Sequence, residues 1–422
     1  MSTAARRRVV VTGMGAVTPL GNDVPSFWSG LLEGRSGIRT IESFDSSRLT
    51  CHVAGEVRDF DVTGVLERKE ARRNDRYTQL ALVATREAMN QAGLPERLEG
   101  TLAEETGVII GSGMGGTTTL FEQIGVFAER GPDRLSPFFV PMVITNMAAG
   151  QAAISFGALG PNYATVSACA TSGHAIGESA EIILRGDAEV MLAGGSEAPV
   201  SEGLIAAFAA MRALSTRNDD PQGASRPFDQ GRDGFIVAEG AGVLVLEERG
   251  HAEARNAEIL AEVTGYAATA DAHHITLPAP GGAGALRATR RALAKAGLDA
   301  SAVDHVNAHA TSTQEGDRAE LTSLHALFGD HGAKVSVTAT KSAIGHTLGA
   351  AGALGSIAAI QAMRERCVPP TLNLDDPDAA IGALQVVAHE PRAQEIDVAL
   401  VNAFGFGGQN TALVYRRLAD LA

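Results

Sequence analysis

Runs of consecutive Val, Ile, Leu and Ala punctuate the chain at residues 7–13 (RRVVVTG), 107–113 (GVIIGSG), 188–195 (AEVMLAGG), 242–248 (GVLVLEE), 334–340 (KVSVTAT) and 398–404 (VALVNAF), with helix-compatible stretches between them. A strand with one wet face alternates apolar and polar residues, so near-continuous runs suit strands covered on both faces. The pattern predicts α/β layering, with sheets sandwiched between helices. After GVLVLEERGHAEARN, the strand-like AEVTGYAAT opens a second series of elements, which divides the chain into 1–255 and 256–422. Each half has an apolar strand running into a glycine-rich turn, AGGSEA at 193–198 and FGFGG at 404–408, a hint of duplicated architecture. The uncharged stretch Thr347 to Met363 is shorter than the ~20 residues that span a bilayer and reads as a buried core helix.

Composition narrows the class. Of the 422 residues, 45% are hydrophobic and 20% charged, the balance of a globular chain and not of a disordered one. The 48 glycines follow no period and read as tight turns and close backbone approaches. A net charge of −14 repels nucleic acid and anionic membranes, so neither is expected as a partner. Cys51, Cys169 and Cys367 are too few for a disulfide framework or a four-thiolate zinc site. The apolar stretch after the basic N-terminal residues is broken at once by Gly13 and Gly15, unlike a signal-peptide core. A cytoplasmic setting is expected.

Cys169 follows the strand-like YATVSA and precedes a segment whose Ile176, Ala180, Ile183 and Leu184 repeat at helical spacing. That spacing predicts a helix N-terminus at the sulfur, where the macrodipole and free N–H groups favour thiolate. A small buried hydrophobe is the alternative. His309 in VNAHATST and His346 in TKSAIGH, with Lys341 just before the latter, lie where apolar strands run into small-residue turns, the ends at which α/β proteins assemble sites. NAFGFGGQN sets Phe404 and Phe406 among glycines and offers either a backbone N–H as an oxyanion donor or a tight turn plugged by aromatics. GSGMGG formally satisfies the dinucleotide pattern G-x-G-x-x-G, but no acidic residue closes a following strand, so a nicotinamide-dependent oxidoreductase is a weak rival. Arg68, Lys69, Arg72, Arg73 and Arg76 fall on one face of a predicted helix, either a solvated stripe or a docking surface for an acidic protein.

Taken in order, VSACATSG, VNAHATST, TKSAIGH and GFGGQN resemble the signature set of β-ketoacyl-acyl carrier protein synthases of the elongating, synthase II class. The resemblance covers essentially the whole chain, from RRVVVTGMGAVTPLG through ALSTRNDDPQGASRPFDQGRDGF to FGFGGQN. It implies a thiolase-like five-layer αβαβα sandwich of two pseudo-duplicated halves, a homodimer, and decarboxylative Claisen condensation in fatty-acid elongation. Acyl carrier protein would deliver both substrates on phosphopantetheine, with no cofactor belonging to the enzyme. Two rivals are a specialised type II polyketide or polyene ketosynthase, paired with a chain-length-factor-like subunit, and a non-catalytic carrier-binding scaffold.

The resemblance also implies roles. Cys169 would hold the acyl chain as a thioester, and His309 and His346 would stabilise the enolate. Lys341, paired with Glu320, would order the histidines, with Asp317 in support. The N–H groups of Cys169 and Phe406 would form the oxyanion hole, with Phe406 also the gate. Thr311 and Thr313 would touch pantetheine, and Met114 and Phe208 would line the acyl pocket, which turns GSGMGG from a phosphate cradle into a pocket wall. Arg68, Lys69, Arg72, Arg73 and Arg134 would dock the carrier, although Asp133 stands where many relatives are basic. Many relatives hold a monovalent cation with a glutamate where this chain has Gly355, so no metal is expected beside Asn307 and Asn402.

Overall fold

The structure, a computed structural model, describes residues 7–418; the start of the basic N-terminal stretch lies outside them. One wing of an 11-stranded mixed sheet comprises β1 (Val9–Val17), β2 (Thr106–Gly111), β3 (Asn162–Tyr163), β4 (Val190–Glu197) and β5 (Gly240–Glu248). The other comprises β6 (Ala261–Ala270), β7 (His305–Asn307), β8 (Ser336–Thr338), β9 (Gln385–Val386), β10 (Val398–Gly405) and β11 (Gln409–Arg416). Their spatial order is β9-β8-β7-β10-β11-β6-β1-β5-β4-β2-β3. Outward from the centre, the pairings β1–β5 and β5–β4 are antiparallel and β4–β2 and β2–β3 parallel. The pairings β6–β11, β11–β10, β10–β7 and β7–β8 repeat that sequence. The wings join where β1 meets β6 antiparallel, Val9 opposite Val263 and Val11 opposite Ala261. The predicted sheets are therefore continuous through one seam.

The helices that matter for the site are α1 (Arg76–Gln91), α2 (Met147–Phe156), α3 (Thr171–Arg185), α4 (Ala283–Ala296), α5 (Gln314–Phe328) and α6 (Ala351–Glu365). α1 and α2 cover the outer face of the first wing, α4 and α5 that of the second, and α3 and α6 fill the space between. The result is the thiolase-like αβαβα sandwich. Both faces of β1 are buried along its whole length, as its unbroken apolar run requires. α6 is buried from Ala351 to Met363, and its Ala, Gly and Ser residues let it sit in the central layer without polar exposure. The backbones of Gly13 and Gly15 lie against the Ala88 and Ala84 carbonyls of α1, where a Cβ would collide. That close approach accounts for GMGAV. Leu80, wholly buried on the same helix, would cost about 2–5 kcal/mol if cut back to Ala.

All six apolar runs form strands. YATVSA contributes only its tyrosine to a strand before the chain enters the turn at Cys169, while QNTALVYR, which is not among the six apolar runs, forms all of β11. Among the described residues no helix is long and apolar enough to cross a membrane.

Candidate active site

Beyond Ser167 the chain turns sharply. Ala168 adopts φ 49°, a left-handed conformation that costs strain in a residue with a side chain. Ala168–Ala170 form a 3-10 turn leading directly into α3, so Cys169 does sit at a helix start. Its sulfur opens on a cavity of about 460 Å³. The backbone N–H groups of Phe406 and of Cys169 itself favour the thiolate. Burial nonetheless pushes the thiol up to about 12, with Lys341 opposing and Glu197 adding to the rise. The helix start alone does not ionise this cysteine, because excluding water costs the anion more than the turn's dipole returns.

The second wing supplies the bases. His346 Nε2 lies 2.9 Å from Cys169 Sγ. The turn carrying it is pinned by its own N–H donating to Ile236 O (2.7 Å) and by Ala238 N–H donating to its carbonyl (3.0 Å). The His309 ring stands edge-on to that of His346, centroids 5.5 Å apart, and packs on Phe404 at 5.4 Å. Both imidazoles are buried, and burial with the positive charge of Lys341 holds them well below the usual histidine range. They are neutral at physiological pH, so each ring has one N–H to donate.

Lys341 stands behind the histidines and outside the cavity lining; burial brings it down to about 8, against the pull of Glu320, Cys169 and Asp317. The expected Lys341–Glu320 ion pair is not a direct contact. Glu320 instead accepts from His309 N–H (2.9 Å), Ala310 N–H (2.7 Å) and the Asn402 side-chain amide (3.2 Å), and it feels the lysine only through space. Three donors already surround the carboxylate, and they fix the strand end that presents His309. Asp317 performs the same service one turn earlier in α5, accepting from the N–H groups of Ser312 (3.1 Å), Thr313 (3.3 Å) and Phe228 (2.9 Å) beside the fully buried Arg232. Burial raises its carboxyl to about 7.

Thr311, Thr313, Met114, Phe208 and Phe406 all line the cavity with Cys169, His309 and His346. The hydroxyls of Thr311 and Thr313 are 3.2 Å apart, and Phe208 packs edge-on against Phe235, which in turn abuts His346. Of GSGMGG, Gly113 and Met114 line the cavity. Arg68, Lys69, Arg72, Arg73 and Arg134 are exposed, and among the described residues none of them forms an ion pair. They do not share one helix face. The helix Arg68–Ala71 ends at once, and Asp75 caps the separate start of α1, whose Arg76 is tied to Glu239 at 2.9 Å. Arg73 lies over the Phe138 ring at 4.7 Å, which brings the segment of Arg134 beside the basic cluster.

The residues near Gly355 do not fit a cation. Asn402 leaves one buried oxygen and Asn307 one buried NH₂ group without a partner. A Cβ at Gly355 would come within 2.8 Å of Asn307 Oδ1. The nearby Glu320 carboxylate is already taken by three donors, and one free oxygen beside one positive-ended group suits a water molecule. Among the described residues no group of three or more His, Cys, Asp or Glu side chains could share a metal ion.

Sequence reasoning missed Glu197. It ends the otherwise apolar β4 and is wholly buried against Ser112, Gly113, Met114 and Gly349. A lone carboxylate closing an apolar strand was the available signal.

A thiol, two neutral imidazoles and two convergent N–H donors inside a thiolase-like sandwich define a carbon–carbon condensing enzyme. Residues 6–252 match the family model described as beta-ketoacyl synthase, N-terminal domain, and residues 260–375 the C-terminal domain of the same family. The chain belongs to the beta-ketoacyl synthase family. It is 47% identical over 417 residues to the 3-oxoacyl-[acyl-carrier-protein] synthase 2 of a Synechocystis strain, covering 99% of this chain and 100% of that one. It is 45% identical to the synthase 2 of Vibrio harveyi with the same coverage. Among solved structures, a beta-ketoacyl synthase from Burkholderia phymatum superposes with TM-score 0.91 at 36% identity, covering 98% of this chain and 100% of that one. A type II polyketide ketosynthase in complex with its acyl-carrier protein gives 0.89 at 32%, with the same coverage.

Proposed function

We propose that this enzyme condenses an acyl chain, held as a Cys169 thioester, with malonyl-acyl carrier protein in fatty-acid elongation. The observation that carries the reading is the 2.9 Å approach of His346 Nε2 to Cys169 Sγ with His309 edge-on beside it. The sulfur attacks the carbonyl of the incoming acyl-pantetheine thioester while its proton passes to His346 Nε2. The N–H groups of Cys169 and Phe406 receive the developing oxyanion, and the pantetheine sulfur leaves with the proton that His346 returns, so the ring is neutral again. A malonyl thioester then enters. As its carboxylate departs as carbon dioxide, His309 and His346 donate to the thioester oxygen, where enolate charge builds up. The enolate carbon attacks the Cys169 thioester carbonyl, the C–S bond breaks, and the released cysteine thiolate takes a proton from water. Neutral rings serve this step better than imidazolium, since a neutral N–H stabilises the enolate without protonating it.

Phosphopantetheine on the carrier supplies the chemistry of both substrates, and the enzyme brings no cofactor of its own. The unpaired Arg68, Lys69, Arg72, Arg73 and Arg134 support docking of an acidic acyl carrier protein. Ile154, Leu159, Tyr163 and Val166 are exposed near the edge strand β3, and a second copy of this chain covering that edge is the assembly we favour, in a cytoplasmic setting. A polyketide role with a chain-length-factor partner is the second reading, favoured by the likeness to the ishigamide ketosynthase/chain length factor at TM-score 0.90, although at 32% identity. Incubation with a panel of acyl-carrier substrates plus malonyl-carrier separates the two. Saturated-chain β-ketoacyl products support elongation, and poly-β-keto products formed only with a partner chain overturn it.

A further inference from the structure

The Cys169 turn has a counterpart in the other wing. Leu348–Ala350 is also a 3-10 turn, also opens on a left-handed residue (Leu348, φ 43°) and also leads into a helix, α6. Matched through the repeated strand order, Cys169 corresponds to Gly349, and the last residue of β10, Gly405, to the last residue of β4, Glu197. The wings dock crosswise. Gly405 sits on the Cys169 turn, where a Cβ would lie 3.2 Å from Cys169 N. Glu197 sits on the Gly349 turn and accepts its N–H at 2.9 Å.

Glu197 has four neutral donors. Its Oε1 accepts from Ser112 Oγ (2.6 Å) and Met114 N–H (2.9 Å), and its Oε2 from Gly113 N–H (2.8 Å) and Gly349 N–H (2.9 Å). Each oxygen takes two bonds, so a glutamine, in either orientation, would turn an NH₂ group against a backbone donor. The carboxylate thus staples the cavity wall at Met114 to the turn that follows His346.

We propose that Glu197 is a positioning residue of the condensing site: an internal anion that accepts the Gly349 N–H, the counterpart of the Cys169 N–H, together with the N–H groups of Gly113 and Met114, and thereby holds His346 in reach of the sulfur. This rests on the condensing reading above. The Cys169 turn must receive a transient oxyanion, whereas the Gly349 turn faces a resident carboxyl that burial raises and its four donors lower. His346 is the ionisable group in contact with the sulfur, Lys341 and Glu197 act on it through space, and His309 lies beyond His346.

Chemical rescue tests this. Misplacing His346 by an ångström should lower kcat of Glu197→Ala by ~100-fold while KM for acyl carrier stays near the wild-type value. Formate, a carboxylate small enough for the vacated site, should restore part of that kcat. Formamide, its neutral isostere, should not, and wild-type enzyme should ignore both. A variant with undiminished kcat, a loss that formate leaves untouched, or equal rescue by formamide each overturns the proposal. Should Glu197→Ala fail to fold, Ser112→Ala decides, because it keeps the charge and removes one donor. A several-fold drop in kcat is then expected, and unchanged kcat counts against the role. Wild-type acylation of Cys169, followed in parallel by mass spectrometry, keeps the questions apart: no acylation or condensation by wild type sinks the function itself, whereas an active wild type with an indifferent variant sinks only the role of Glu197.

Discussion

Ala168–Ala170 and Leu348–Ala350 share a strained first residue, a 3-10 geometry and a helix of 15 residues behind them, yet only one of them carries a nucleophile. The Cys169 turn faces open cavity; the Gly349 turn gives its N–H to a buried carboxylate. The backbone shape therefore provides a place for negative charge, and the side chains decide whether that charge is transient or fixed. A helix start is a common feature, and it becomes chemistry only where a cavity, a reactive atom and a partner base arrive together.

The largest effect should come from removing the reactive atom on one side of this comparison. Cys169→Ala should abolish acyl transfer to the protein and reduce condensation by ~10³-fold or more, with the fold intact by circular dichroism; an acyl adduct still seen by mass spectrometry would reject the assignment. His309→Ala leaves the sulfur and its turn in place, so it should still acquire an acyl group. Decarboxylation of malonyl-carrier should fall by ~10²–10³-fold, and carbon dioxide release at the wild-type rate would contradict the enolate role.

On the other side, Gly349→Ala adds a Cβ that would meet Glu197 Oε2 at 2.6 Å and Gly113 N at 2.7 Å. Overpacking at such a site should lower stability by about 1–3 kcal/mol, read by denaturant titration; an unchanged midpoint would mean that the turn can yield. Lys341 offers a pH test. Burial sets it at about 8, so its positive charge is present below that pH and lost above it. That charge favours the thiolate and the enolate, and condensation should therefore decline as pH rises past 8. Lys341→Met should be slower by ~10-fold near neutrality and should lack this alkaline limb; a variant that keeps the limb would assign it elsewhere. The smallest effect is expected at the wall that Glu197 staples: Met114→Gly should move product length by a few-fold change in selectivity, and an identical product distribution would remove Met114 from the acyl pocket.

Much of this was legible in the chain. The apolar runs announce strands because burial on both faces leaves no room for polar alternation, and Cys169, His309, Lys341 and His346 stand in distinctive turns at strand ends. QNTALVYR is masked by its polar start, although Asn410–Tyr415 are buried on both faces of the strand. The break at Arg72–Asp75 was hidden because basic spacing at i and i+4 looks helical until Asp75 is seen capping a new helix. The state of the thiol could not be read from local sequence. It depends on water exclusion by residues from both wings, as does the choice of Glu320 to bind backbone N–H groups in place of the lysine. Glu197 was invisible for a similar reason: three of its four partners come from one loop, but the fourth lies 152 positions away.

The crosswise docking of strand ends onto opposite turns has a consequence for heredity. Neither half of the polypeptide, translated by itself, contains a finished reaction chamber, since each lends its rim to the other. A repeat built this way cannot be pruned back to one copy, and substitutions at Gly405 and Glu197 are judged by selection through the neighbour's turn and not their own.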